Sequence, residues 1–147
     1  RRSPQSGPTD WGSRPPFTMA CPHCGSSVVA FVVPPPLRVH APAEETAICT
    51  HCLRTSSAAA ADATAVDVET ADFRSVDRAF PAGEPGAALA LCCGLLESLA
   101  HNRAAIETLV EHAERGGVDV FSFLERLDAE AAPFDLARCR AALADLL

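Results

Sequence analysis

Cys21-Pro22-His23-Cys24-Gly25 and Cys49-Thr50-His51-Cys52-Leu53, with 24 residues between Cys24 and Cys49, are the stretches of this 147-residue sequence from which the rest can be read. Each is a C-x-x-C knuckle. Two intervening residues make a turn tight enough to put both sulfurs on one side. Two such turns face to face complete a tetrahedron with metal–sulfur bonds of about 2.3 Å. Pro22 fixes the backbone of the first turn, and Gly25 lets the chain leave it with positive φ. The pattern nominates Cys21, Cys24, Cys49 and Cys52 as the ligands of one Zn²⁺ ion. His23 and His51 lie inside the knuckles, where four thiolates already complete the shell. The second knuckle keeps both sulfurs but has neither the Pro nor the Gly of the first, which puts the symmetry of the pair in question.

A competing reading is redox chemistry, because C-P-H-C is similar to the active-site motif of DsbA-type thiol oxidases. In a thioredoxin fold that motif ends a strand and opens a helix, which lowers the pKa of the first thiol. Here Cys24 is followed by Gly25-Ser26-Ser27 and the apolar, β-branched run Val28 to Val33, closed by Pro34-Pro35-Pro36. That is a strand with a sharp stop. Leu37 to His40 and Thr46 to Cys49 are candidates for further strands, Ser56 to Ala65 for a low-complexity link, and Ala63 to Val68 for a weak edge strand.

From Asp72 onward the apolar spacing becomes helical. Leu89, Cys92, Cys93, Leu96 and Leu99 follow the i, i+3, i+4, i+7 rule, and Ile106, Leu109, Val110 and Ala113 continue the stripe. Its phase is kept across His101 and Asn102, so one long helix and two helices are equally compatible with residues 86–115. Gly116 and Gly117 stop it. Asp119 is placed to cap a further helix bearing Val120, Phe123, Leu124 and Leu127, and Pro133 and Asp135 restart a last one with Leu136, Cys139, Leu143 and Leu146. The expected fold class is α+β, with a zinc ribbon of short antiparallel strands over 19–69 and a helical domain over 70–147. Arg1 to Thr18 is rich in Pro, Gly, Ser and Arg, includes Trp11, and is expected to be a disordered N-terminal extension. Met19, the sole methionine, is expected to be the natural start.

The knuckle CPHCG resembles the C-P-x-C-G pattern of zinc-ribbon proteins, including small zinc-finger proteins of haloarchaea. From Met19 onward the layout resembles an uncharacterised haloarchaeal family that joins such a ribbon to an Ala/Leu-rich helical tail. All 12 basic residues are Arg, and 19 acids leave a net charge of -7, a composition similar to that of salt-adapted proteins. The resemblance implies a metal-binding ribbon and no particular activity.

A closed four-thiolate shell has no open position at which to activate water, so the metal is expected to fold the ribbon. No Ser or Cys nucleophile stands beside a recognisable base, and neither G-x-x-x-x-G-K-[ST] nor H-E-x-x-H occurs. The chain is therefore read as non-catalytic. Glu97, Glu107, Glu111 and Glu114 read as a hydrated helix face, and His40, His101 and His112 as unclustered surface residues. The partner expected is another protein, of unidentified pathway, with the chain as an interaction or regulatory adaptor. Nucleic-acid binding is the alternative, weakened because only Arg38 and Arg54, with His40 and His51, lie near the ribbon of an acidic chain. An odd count of seven cysteines, three of them (Cys92, Cys93 and Cys139) in apolar helical stretches, suits a reducing cytoplasm. The longest apolar run, Ala87 to Leu96, is too short for the ~20 residues of a membrane span.

Overall fold

The computed structural model describes residues 20–78 and 80–126, together with 138, 141, 142, 144 and 145. Arg1 to Met19, with Trp11, and most of the last expected helix, with Cys139, Leu143 and Leu146, lie outside the described residues.

Strand β1 (Val28–Val32) forms where four of five positions are Val or Phe, residues whose bulk at Cβ suits a pleated surface. It pairs antiparallel with β2 (Glu45–Cys49), and β2 pairs antiparallel with β3 (Thr55–Ser57), in the order β1-β2-β3. The register sets Val28 opposite Cys49, Val29 opposite Ile48 and Ala30 opposite Ala47, while Ile48 also faces Thr55 across the second ladder. The strand expected over Leu37 to His40 is instead a 3-10 turn over Pro35–His40, with proline in its first positions and Leu37 buried beneath it. Proline there has no N–H to leave unpaired and a φ already suited to helical turns, which outweighs the strand-like alternation of the residues that follow. The Ser/Ala stretch is no featureless link either. It supplies β3 and a 3-10 turn over Ala59–Ala61. Of the edge strand expected over Ala63 to Val68, a single parallel bridge from Val66 to Phe31 is formed.

Because side chains alternate across a strand, the sheet serves two cores. Val29, Phe31 and Ile48 point to the larger one, with Val33, Leu37 and Leu53. Val28, Ala30, Ala47 and Cys49 point to a smaller one that holds Cys21, Cys52, Ala58 and Ala61. The larger core is completed by helices α1 (Gly83–Leu95), α2 (Arg103–Arg115) and α3 (Val120–Arg126). Residues from Ala87 to Cys93 of α1 are all buried, so this helix is enclosed on every side. A run of four phenylalanines ties the layers together. Phe31 meets Phe73 edge-on at 5.1 Å, Phe73 stacks on Phe80 at 6.2 Å, and Phe80 meets Phe123 edge-on at 4.9 Å.

The long apolar stripe is broken into two helices. After Leu95 the chain tightens into a 3-10 turn over Leu96–Ser98, and Asn102 closes it, its backbone N–H donating to Ser98 and Leu99 carbonyls and its side-chain amide to Ser98. The Asn102 carbonyl then accepts from Ile106 and opens α2. At the far end Gly117 takes φ 91°, and the Val118 N–H reaches back to the Ala113 carbonyl, the left-handed stop expected of this pair. Asp119 caps α3 as expected, accepting from the Ser122 backbone N–H at 3.2 Å and hydroxyl at 3.0 Å. The backbone of Ser122 is the largest cause of a lowered Asp119 carboxyl pKa.

Helix α1 lies against β3 at Gly94, where an added Cβ would overlap the Thr55 side chain. At an ordinary helical site Gly→Ala stabilises by up to about 1 kcal/mol. Here Gly94→Ala is expected to have the opposite sign, a loss of about 1–3 kcal/mol in urea unfolding. Combining it with Thr55→Ala is expected to restore part of the loss.

Candidate metal centre

The first knuckle leaves the turn before β1, and the second is the reversal between β2 and β3. In each, a backbone N–H two residues on donates to the first sulfur, His23 to Cys21 Sγ and His51 to Cys49 Sγ, both at 3.3 Å. Cys52 adds a further N–H to Cys49 Sγ at 3.3 Å. Such bonds stabilise the thiolate form. The two loops are closed by matching backbone bonds, Cys21 N–H to Ser26 carbonyl at 2.8 Å and Cys49 N–H to Arg54 carbonyl at 2.9 Å. They also share one conformation at the exit: Gly25 has φ 80° and Leu53 has φ 65°. The loss of Gly from the second knuckle has therefore not cost it the fold of the first. The compensation is visible in burial. Leu53 is 2% exposed and its side chain enters the helical core, anchoring the knuckle to α1 and its neighbours.

The register places the knuckles side by side, because Val28 and Cys49 are paired and the Thr50 N–H donates to the Ser27 carbonyl. The hydroxyls of Ser27 and Thr50 add a contact at 3.1 Å. As a result the sulfurs of Cys21, Cys24, Cys49 and Cys52 all lie within 4.8 Å of one another. Cys21 Sγ is 3.8 Å from Cys52 Sγ, and Cys24 Sγ is 3.4 Å from Cys49 Sγ. A tetrahedron with metal–sulfur bonds of about 2.3 Å has sulfurs about 3.8 Å apart. The spacing fits that shell and is far from the roughly 2.05 Å of a disulfide. The close contacts join one knuckle to the other, not the two cysteines of a single C-x-x-C.

The four sulfurs can hold a metal ion, and sulfur donors select thiophilic metals. Neither His23 nor His51 belongs to the cluster. Three sulfurs are buried and Cys24 is exposed. Without a cation the thiols divide into unlike states. Hydrogen bonds from the Ser26 backbone and then its side chain bring Cys24 down to about 5, whereas burial pushes Cys49 up to about 12 and raises Cys52 as well. The Cys24 and Cys49 sulfurs share a hydrogen bond at 3.4 Å.

Three expectations about the surroundings are modified. His112 is no isolated surface residue, since its Nε2 lies 2.6 Å from Glu84 Oε2 and joins the end of α2 to the start of α1. Of the basic residues near the ribbon, Arg38 donates through Nε to the Val33 carbonyl at 3.1 Å, and Arg54 stands 3.8 Å from Glu97. Glu97 and Glu111 are thus in ion pairs, the second with Arg115 at 3.3 Å.

The fold and the site together define an α+β protein whose small antiparallel sheet carries four cysteines clustered as in a zinc ribbon, with helices following in the chain. Residues 20–147 match a family of unknown function, DUF6276, and the chain belongs to it. No curated protein matches the chain, and no solved structure does. Among the described residues, no helix is long and apolar enough to cross a membrane.

Two outcomes are expected. Leu53→Gly, although it relieves a left-handed backbone, removes a buried leucine worth about 2–5 kcal/mol. It should therefore destabilise the chain more than Gly25→Ala, whose Cβ meets nothing within 4 Å and which bears only the cost of positive φ, about 1–2 kcal/mol. Chemical unfolding of both variants gives the ranking. Second, metal uptake near neutral pH must displace protons from at least Cys49 and Cys52, whose pKa values lie above the ordinary 9.0. Apparent affinity should fall by at least about 100-fold from pH 7 to pH 6 in competition with a chromophoric chelator. In the metal-free chain the sign is reversed for these two thiols. The stability they contribute is present below pH 9 and lost as pH rises, for Cys49 through about 12.

Proposed function

We propose that this chain is a non-catalytic zinc-binding adaptor, in which one Zn²⁺ held by Cys21, Cys24, Cys49 and Cys52 fixes a ribbon that presents a protein-binding surface. The observation that carries the reading is the convergence of four sulfurs within 4.8 Å on two knuckles of like backbone. A complete thiolate shell leaves the ion without an exchangeable position, so its contribution is to folding. Zinc is the ion of choice because it accepts tetrahedral sulfur without redox chemistry or a geometric preference of its own.

The same geometry weighs against a thiol oxidase. Cys24 is followed by strand β1 instead of a helix, and its nearest sulfur belongs to the other knuckle. Nucleic-acid binding is weakened too, since Arg38 and Arg54 are engaged within the fold and the net charge is -7. A cytoplasmic setting, and a salt-adapted one, rest on the composition.

Elemental analysis of the purified chain should give one zinc per molecule, and Cys49→Ser should lose the metal and lower the unfolding midpoint. A chain that stays folded and metal-free under zinc-replete expression would overturn the structural role. A gel shift at low salt should show no tight binding of DNA or RNA, whereas a stoichiometric protein partner should be retained in a pull-down.

A further inference from the structure

The outer edge of β1 is only partly used. Along this strand Ser27, Val29, Phe31 and Val33 turn their backbone groups toward β2, as the Thr50 to Ser27 and Val33 to Glu44 bonds at the two ends show. Val28, Ala30 and Val32 therefore turn theirs outward. Val66 satisfies part of that edge: its N–H donates to the Ala30 carbonyl at 3.3 Å, and its carbonyl accepts from the Val32 N–H at 2.8 Å. Nearer the knuckles, the N–H of Ala30 and both backbone groups of Val28 have no strand partner among the described residues. They border a cleft of about 410 Å³, a size typical of ligand sites, walled by Thr50, Thr64, Thr70 and Asp72.

Two features specify what fits. A strand edge with an unpaired donor, acceptor and donor in sequence matches the backbone of an extended peptide, since main-chain ladders give affinity without regard to side chains. The opposite wall belongs to a segment of strong negative charge. Between Asp62 and Asp77 stand Asp62, Asp67, Glu69, Asp72 and Asp77 against the single base Arg74. Asp72, which lines the cleft, is exposed, and among the described residues its carboxylate accepts only from the neighbouring Ser75 hydroxyl. A cation brought by the ligand would complete that carboxylate's surroundings.

We infer that the cleft between β1 and the 64–75 segment takes an extended, basic peptide segment of a partner protein, which adds to the sheet at Val28 and Ala30 and sets a Lys or Arg against Asp72. The inference rests on the adaptor reading and names the surface by which that adaptor would work. Its position ties it to the knuckles, because Ser27 and Thr50, joined by hydrogen bonds across them, both border the cleft.

The test uses the full zinc-loaded chain and a fluorescein-labelled octapeptide of alternating Val and Lys, read by fluorescence anisotropy and mapped by amide chemical shifts. Saturable binding is expected, with shifts centred on Val28, Ala30 and Thr70. N-methylating alternate backbone amides of the peptide should weaken binding at least 10-fold while leaving its charge unchanged. Asp72→Asn should weaken it several-fold, and Glu111→Gln, on the exposed face of α2, should not. Equal binding of the methylated peptide, insensitivity to Asp72→Asn, or equal binding of a Val/Glu peptide would overturn the cleft assignment. A protein partner captured stoichiometrically but unaffected by Asp72→Asn and by excess Val/Lys peptide would also overturn it, while leaving the adaptor reading standing. Capture of RNA, with no protein partner, would sink both.

Discussion

Four sulfurs held within 4.8 Å of one another cannot all carry charge unless a cation lies among them. Burial opposes the ionisation of Cys49 and Cys52, which is why their pKa values in the bare chain are raised while hydrogen bonds from Ser26 lower that of the exposed Cys24. A divalent ion bound there would remove that conflict and join the turn before β1 to the turn between β2 and β3. The small core behind the knuckles is made largely of Ala, with Val28 its largest apolar side chain. Little apolar area is buried there, so a covalent-strength clamp is the natural means of holding that layer together.

The opposite face of the sheet solves its problem differently. Phe31, Ile48 and Leu53 meet Phe73, Phe80 and the three helices in a continuous apolar core, where dispersion and burial suffice. Leu53 connects the two regimes. It follows directly on a cysteine of the metal cluster, accepts a backbone conformation that glycine would adopt without cost, and inserts into the helical core. The knuckle is thereby fixed from both sides, by sulfur and by leucine.

Much of this is legible in the sequence. The C-x-x-C spacing pointed to the four sulfurs, the β-branched run to β1, and the 3.6-residue period to the helices, since each of these signals is local. What escaped was set by non-local partners. The shortness of β3 and its place in a Ser/Ala stretch hid it, because its pairing follows from the reversal at the second knuckle and not from its own side chains. The break at Leu96–Ser98 left the apolar phase intact, so only the capping of that turn by Asn102 reveals it. The pairing of His112 with Glu84 spans 28 residues and follows from how α2 returns along α1. The knuckle without glycine looked asymmetric in composition, yet Leu53 keeps the left-handed exit because tertiary packing offsets a backbone cost of about 1–2 kcal/mol.

The enclosure of α1 also has a bearing on how the protein comes into being. This helix is covered partly by strands synthesised earlier and chiefly by α2, which is synthesised later. On the ribosome, its run from Ala87 to Cys93 emerges before α2 is available to cover it. Its apolar surface must stay exposed, or be shielded by chaperones, until Ile106 to Ala113 of α2 have cleared the exit tunnel. A translational pause between Leu95 and Val120 would prolong the interval in which nascent chains can stick to one another.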